Sequence, residues 1–171
     1  MFSRYTILYA FIILLGVPAF GFAQGAKLIE QFESKDWSAQ IYEDNGKKIC
    51  FAASKPTSSE PSGVRRGEII FYVSSWPADK VNHEVSVKIG YSFKPGSEVT
   101  AEIGDKKFTF FVKDDKAFIA EAEEEKRLIE AIKAGSAMVI KGLSSRGTQT
   151  TDQYSLSGVS AALKKIAQSC V

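Results

Sequence analysis

The side chains best suited to acid–base or nucleophilic chemistry are few in this sequence. Its 171 residues include one histidine, His83, and two cysteines, Cys50 and Cys170. A single histidine excludes a metal site built from several histidines and leaves little material for histidine-dependent catalysis, because such sites need several converging titratable groups. His83 alternates with Val81 and Val85, so we expect it to be a packed residue of a strand.

The motifs that accompany common catalytic sites are missing from the sequence. It contains no Gly-x-Ser-x-Gly nucleophile elbow, no glycine-rich phosphate loop, no zinc-ligand spacing and no calcium loop. A hydrolase that uses His83 and a serine is therefore a hypothesis without a supporting motif. We predict that the protein is not an enzyme and that it holds no metal and no cofactor.

The first 23 residues have the layout of a secretory signal peptide. A single cation, Arg4, precedes an apolar run over residues 7–17, and the tripeptide Gly-Phe-Ala ends at Ala23. A membrane anchor is the alternative, but the run is shorter than the roughly 20 residues that a spanning helix needs, and no basic cluster follows it. We predict cleavage after Ala23, which leaves residues 24–171 as one exported domain without a membrane span.

Export changes the chemistry expected of the two cysteines. Outside the reducing cytosol thiols tend to form disulfides, and two is the smallest even number. A bond between Cys50 and Cys170 would enclose nearly the whole domain. A reactive free pair and an intermolecular bond are the alternatives, but no Cys-x-x-Cys spacing or flanking cluster of cations indicates a low-pKa thiolate. We favour the structural bond.

Four charged residues are candidates for an interaction surface. Arg65 and Arg66 lie in an irregular segment, which we predict to be a loop over residues 54–67, and could meet an anionic partner. Arg146 and Asp152 lie in a segment rich in hydroxyl groups and could belong to a recognition surface. The structural alternatives are a solvated loop for the first pair and, for the second, a hairpin in which Asp152 pairs locally with Arg146 or with backbone.

The alternation of apolar and polar residues along the chain predicts that these candidates belong to a predominantly β domain. Short alternating runs separated by turns that contain Gly or Asn predict antiparallel hairpins. Helical spacing predicts one helix over residues 122–134 and a second that begins at an N-cap, Ser157. The pattern favours an all-β antiparallel β-sandwich with two short helices, one of them C-terminal. The predicted strands are 37–41, 48–53, 69–73, 81–89, 99–103, 108–112, 137–143 and 148–156.

Charge and aromatic content bear on two further classes of function, nucleic-acid binding and the binding of a small molecule or lipid. The chain has 22 basic and 20 acidic residues, so it lacks the positive field that holds nucleic acid. Aromatic residues in the predicted strands could line a cavity for a small molecule or a lipid, although such residues more often pack in the core. A periplasmic small-molecule or lipid-binding β-domain is therefore the alternative function. The aromatic residues concerned are Trp76, Tyr91, Phe93, Phe108 and Phe110.

The order of several short motifs resembles the invasion-associated locus B family of exported proteobacterial proteins. These motifs are Asp36-Trp37, Cys50-Phe51-Ala52-Ala53, Val85-x-Val87-x-Ile89-Gly90-Tyr91-x-Phe93, Ser145-Arg146-Gly147-Thr148, Asp152-x-Tyr154-Ser155-Leu156-x-Gly158 and the final Cys170.

The resemblance implies an immunoglobulin-like β-sandwich located in the periplasm or at the outer surface. It attaches no catalytic residues to the chain. It implies a role in the cell envelope or in host-cell interaction and invasion, with an envelope or host-surface protein as the partner. The residues that carry over are structural, namely Trp37, Cys50, Arg146, Gly147, Asp152 and Cys170.

Overall fold

The computed structural model describes residues 25–170, so the predicted signal peptide, residues 1–23, lies outside the described residues. The described chain forms eleven strands and two α-helices. The strands are β1 (Lys27–Ser34), β2 (Trp37–Asp44), β3 (Lys47–Ser54), β4 (Ser58–Glu60), β5 (Ile70–Trp76), β6 (Val81–Lys88), β7 (Glu98–Ile103), β8 (Lys106–Lys113), β9 (Lys116–Phe118), β10 (Ala137–Leu143) and β11 (Gln149–Ser155). The helices are α1 (Ala122–Ala134) and α2 (Val159–Ser169). Within residues 25–170, no helix combines the length and the apolar character needed to cross a bilayer.

Strand β2 illustrates why these segments become strands. Trp37, Ala39 and Ile41 are buried, and the residues between them are half-buried. Successive side chains of a strand point to opposite faces, so this alternation buries one face and leaves the other near solvent. In β5, by contrast, most residues of both faces are buried.

All eleven strands belong to one antiparallel sheet, in the order β1-β2-β3-β5-β6-β9-β8-β7-β10-β11-β4. The sheet curls until strands from its two ends face each other. The ring centroids of Phe71 on β5 and Tyr154 on β11 lie 6.1 Å apart, and the indole N–H of Trp37 donates to the carbonyl oxygen of Ser155 over 2.9 Å. The predicted all-β antiparallel fold with two helices, one C-terminal, is confirmed, and its facing layers are the ends of one continuous sheet.

Three strands were not predicted from the sequence. The loop predicted over residues 54–67 contains β4, in which Ser59 lies opposite Asp152 of β11. The other two are β1, which forms one edge of the sheet with nearly every side chain exposed, and the three-residue β9. Strand β1 shows no alternation of apolar and polar residues because it is an exposed edge strand, and β9 is too short to show one. Neither β1 nor β9 therefore has the period-two pattern that predicts a strand.

The two helices cover the sheet with one apolar side each. Helix α1 has the predicted bounds and buries Leu128, Ile129, Ala131 and Ile132. Helix α2 packs against β1, β2 and β3. Its buried residues are Val159, Ala162, Leu163 and Ile166. Their spacing of three and four residues produces a single apolar stripe along the helix.

The N-cap predicted for α2, Ser157, is wrong because Gly158 occupies that position. Gly158 has a φ of 99°. A Cβ atom there would lie only 1.9 Å from the carbonyl oxygen of Ser34 at the end of β1. The left-handed conformation and the close backbone approach both require a residue without a side chain.

We expect Gly158→Ala to lower the free energy of unfolding by about 2–3 kcal/mol, because the variant combines a strained backbone conformation with a steric clash. Gly46→Ala is the matched control, since Gly46 also has a positive φ, 77°, but a Cβ atom there would have open space around it. Urea unfolding measures both variants. Equal losses in the two variants would show that the clash contributes nothing.

Glu125 connects α1 to the sheet. Its carboxylate accepts a hydrogen bond from the backbone N–H of Val85 over 2.6 Å, next to the residues of β6 that pair with β9. Burial raises the pKa of the Glu125 carboxyl group, the hydrogen bond from Val85 opposes this rise, and the charge of Glu84 adds to it.

The raised pKa of Glu125 predicts a pH dependence of stability. The folded protein binds the proton of the Glu125 carboxyl group more tightly than the unfolded chain does, so protonation stabilises the fold. This contribution to the free energy of unfolding is complete below the unfolded pKa of about 4.3 and is lost as the pH rises through the folded pKa. The free energy of unfolding of the native protein relative to Glu125→Gln should therefore fall over this interval in denaturation measured at several pH values. Glu123→Gln, at an exposed position of the same helix, is the control. A difference that increases with pH would contradict the assignment.

The predicted disulfide joins Cys50 to Cys170, with an S–S distance of 2.05 Å. Cys50 lies in β3, and Cys170 follows the last residue of α2. Both residues are buried. The bond ties the C-terminal helix to the sheet across a sequence separation of 120 residues.

Candidate functional site: an arginine-lined cleft

His83 lies half-buried in β6 in an unusual backbone conformation, with a φ of 61°. Its backbone N–H donates to the hydroxyl group of Ser75 over 3.2 Å. Burial lowers the pKa of its imidazole, and the charge of Lys133 lowers it further. Across residues 25–170, no group of three His, Cys, Asp or Glu side chains is arranged to hold a metal ion. These observations add no support to the hydrolase hypothesis.

A buried ion pair joins Arg66, which precedes β5, to Asp152 in β11. Arg66 Nη1 donates to Asp152 Oδ1 over 2.7 Å, and Nη2 donates to Oδ2 over 2.6 Å. The side chains are only 7% and 0% exposed. The Nε and Nη2 atoms of Arg66 also donate to the carbonyl oxygen of Ile89, over 3.1 and 2.7 Å. Both carboxylate oxygens and four of the five guanidinium N–H groups thus have partners, which buried charges require.

Two local features of the chain bring these side chains together. Alternation along β11 places Asp152 on the buried face of that strand. The segment that carries Arg66 lies against the end of β6, because the N–H of Gly67 donates to the carbonyl oxygen of Gly90 over 2.8 Å. Gly90 has a φ of 78°, and a Cβ atom there would lie 2.6 Å from the Gly67 oxygen, so this close approach depends on glycine.

The structure therefore corrects the predicted interaction surface. Arg66 and Asp152 lie in the interior rather than on an exposed face, because each neutralises the other where solvent is excluded. The local pairing of Asp152 with Arg146 does not form, since both oxygens of Asp152 are held by Arg66 from 86 residues away. The anionic partner that the sequence suggested for Arg66 is a carboxylate of the same chain.

The other two predicted surface residues, Arg65 and Arg146, converge on one concave site. We call this site the arginine cleft. It has a volume of about 210 Å³. Its lining residues are Val64, Arg65, Arg66, Tyr91, Ser144, Arg146, Thr148 and Thr150.

The floor of the arginine cleft is held by polar contacts. The guanidinium carbon of Arg66 lies 5.1 Å from the centroid of the Tyr91 ring, a cation–π distance. The hydroxyl groups of Tyr91 and Thr150 share a hydrogen bond of 2.6 Å. Burial raises the pKa of Tyr91, against the opposing effects of Thr150 and Arg66. The turn that carries Arg146 is closed by a hydrogen bond from the N–H of Thr148 to the Ser144 hydroxyl over 3.0 Å.

The charge in the arginine cleft is positive. Arg66 is compensated by Asp152, whereas Arg65 and Arg146 are exposed and form no ion pair within residues 25–170. None of the lining residues is acidic. The cleft therefore presents two uncompensated guanidinium groups above a floor of hydroxyl groups, an arrangement suited to an anion.

Other surface depressions have a different character. A wider one, about 620 Å³, is lined by three acidic residues, Glu33, Asp36 and Glu68, and by two lysines, Lys35 and Lys55, so it lacks the positive charge of the arginine cleft. Trp76 lines a third, of about 260 Å³, on the outer side of the sheet. The remaining aromatic candidates are core residues, because Phe93, Phe108 and Phe110 are buried. These three aromatic residues pack the interior rather than lining a ligand cavity.

A family model described as Invasion associated locus B (IalB) protein matches residues 37–167. The chain belongs to this family. A solved structure, the crystal structure of invasion associated protein B from Bartonella henselae, is similar with 15% identity, and the alignment covers 81% of this chain and 95% of that chain with a TM-score of 0.56. At this identity the likeness shows the fold. Comparison with curated protein sequences gives no match.

Three of the motifs that indicated the IalB family meet at the arginine cleft and its floor. One contributes Ile89 and Tyr91, a second contributes Arg146 and Thr148, and a third contributes Asp152. Both arginines of the rim were predicted from the sequence as surface residues, but their position in one cleft was not. Thr150 and Val64 were not predicted as site residues, although the density of hydroxyl groups near Arg146 could have indicated Thr150.

Proposed function

We propose that this protein is exported and acts without catalysis in the cell envelope or at the host-cell surface, where it binds a partner protein through the arginine cleft. The name of the IalB family, to which the chain belongs, supports a role connected with invasion. The signal-peptide pattern of residues 1–23 supports export. The buried disulfide supports a periplasmic or extracellular location, because such bonds persist in oxidising compartments.

The observation that carries the binding role is the convergence of Arg65 and Arg146. These two residues come from segments far apart in sequence, and both stand beside the fixed ion pair of Arg66 and Asp152. A rigid support of this kind reduces the entropic cost of ordering the site when a partner binds, and this favours binding. Arginine is also enriched at protein interfaces relative to lysine.

The alternative function, a carrier of a small molecule or a lipid, has less support. It depended on strand aromatics lining a cavity, and Phe93, Phe108 and Phe110 are buried in the core. Tyr91 and Trp76 line two separate clefts of about 210 and 260 Å³. Both volumes are smaller than the roughly 300–1,000 Å³ of sites that enclose a small-molecule ligand.

Site-specific crosslinking in the producing cell tests the proposal. A photoreactive phenylalanine derivative at position 148, in the cleft, should capture a partner protein, and the same residue at the exposed position 113 should not. The capture should disappear in the Arg65→Gln/Arg146→Gln variant. Fractionation and intact-mass analysis should find the protein outside the cytosol and cut after Ala23. An uncut cytosolic protein would contradict export. Equal capture at positions 148 and 113 would contradict binding of the partner through the arginine cleft.

A further inference from the structure

The arginine cleft has the chemistry of a carboxylate receptor. We infer that it binds the glutamate or aspartate side chain of an acidic segment in the partner protein, an inference that rests on the function proposed above. The charge of the cleft is the first argument. Arg65 and Arg146 are exposed without an acidic neighbour in the lining, and Asp152 is occupied by Arg66. The ligand that complements this charge is an anion.

The size of the cleft is the second argument. A volume of about 210 Å³ is below that of sites enclosing whole small molecules, which is about 300–1,000 Å³. The cleft therefore takes one projecting group of a larger molecule rather than a free metabolite. A side chain that ends in an anion fits this description.

The donor geometry is the third argument. A guanidinium group presents parallel N–H donors that match the two oxygens of a carboxylate. The hydroxyl groups of Tyr91 and Thr150 add a neutral hydrogen-bonding pair on the floor. Arg66 retains one N–H on Nη1 beyond the four that its internal partners use.

The apolar part of the lining favours a peptide over an acidic polysaccharide. Val64 is 42% exposed at the cleft, and the half-buried ring of Tyr91 lies in the same lining. Methylene groups of a glutamate side chain pack against such surfaces without losing hydrogen bonds to water. A sugar acid instead carries several hydroxyl groups, which would be desolvated against Val64.

Titration of the isotope-labelled, disulfide-bonded protein with short capped peptides tests the inference. The probes are an alternating glycine–glutamate peptide and its glycine–glutamine counterpart, with a glucuronate oligosaccharide and inorganic phosphate as competing chemistries. We expect the glutamate peptide to shift backbone amide signals of the arginine cleft and the glutamine peptide to leave them in place. Added salt should weaken binding, because exposed charges are screened.

Neutralising the rim arginines should reduce the affinity for the glutamate peptide about tenfold or more, since charge-assisted hydrogen bonds are lost. The variant is Arg65→Gln/Arg146→Gln, and Arg127→Gln, at an exposed arginine of α1, is the matched control that should bind like the native protein. Thermal denaturation of each variant verifies folding.

Several outcomes would overturn the inference. These are the absence of cleft shifts, equal shifts from the glutamine peptide, an equal loss in Arg127→Gln, and tighter binding of glucuronate or phosphate than of the glutamate peptide. If crosslinking at position 148 captures a partner while the glutamate peptide leaves the cleft unchanged, the carboxylate inference fails and the proposed function stands. If the peptide binds and no partner is captured, the proposed function fails instead.

Discussion

Asp152→Ala is expected to lower the free energy of unfolding by about 3–5 kcal/mol, because it leaves the Arg66 guanidinium buried without a counter-charge. The pair is almost fully removed from solvent, so water cannot replace the lost carboxylate. Urea unfolding of the purified protein, followed by circular dichroism, measures the loss. The effect should exceed that of Asp105→Ala, at an exposed turn between β7 and β8.

A second variant separates loss of the pair from loss of one partner. Arg66→Met combined with Asp152→Leu removes both charges and keeps an apolar volume, a replacement that is often nearly neutral for buried ion pairs. We expect it to recover part of the stability lost in Asp152→Ala, but not all, since the carbonyl oxygen of Ile89 also loses its donors. A double variant no more stable than Asp152→Ala would contradict the unpaired-charge explanation.

Removal of the disulfide should cost about 2–5 kcal/mol. The bond between Cys50 and Cys170 closes a loop of nearly the entire domain, and the chain-entropy model assigns about 4.7 kcal/mol to a loop of roughly 100 residues. For a domain of this size, a loss of 4 kcal/mol corresponds to a fall in Tm of about 8–16 °C. Scanning calorimetry of Cys50→Ala/Cys170→Ala measures it.

The redox control for this prediction uses the same two proteins. Reductant should lower the Tm of the native protein to near that of Cys50→Ala/Cys170→Ala, and it should leave the double variant unchanged. Two alkylatable thiols in the protein isolated from the producing cell would show that the bond does not form there, and the predicted contribution of the disulfide to stability would then not apply in the cell.

The positions of most strands along the chain were predictable, because the alternation of apolar and polar residues within a strand follows its burial. In β2 the alternation that runs from Trp37 to Ile41 is itself the burial pattern. In α1 the predicted bounds hold because an acidic first turn and a C-terminal glycine, Gly135, mark both ends of the helix. The edge strand β1 was not predicted because nearly all of its side chains are exposed, so its sequence shows no apolar alternation.

The candidate site was predictable only in part, since its central contact is not local. Arg66 and Asp152 are 86 residues apart, and a reading of the β11 hairpin alone offers Arg146 as the nearer cation. The face of β11 on which Asp152 lies would have indicated a distant partner. Asp152 shares this face with Tyr154, which is buried in the core. A buried carboxylate needs a buried cation, and that cation can come from elsewhere in the chain.

The contact between the two ends of the sheet also affects the folding rate. Trp37 finds its carbonyl acceptor 118 residues later in the chain, so loop-closure entropy must be overcome before the interior is sealed. Chains dominated by such distant contacts fold on a timescale of roughly milliseconds to seconds. During this time unpaired strands are exposed to aggregation, and a chaperone that binds unfolded chains would be expected to raise the yield of the folded molecule.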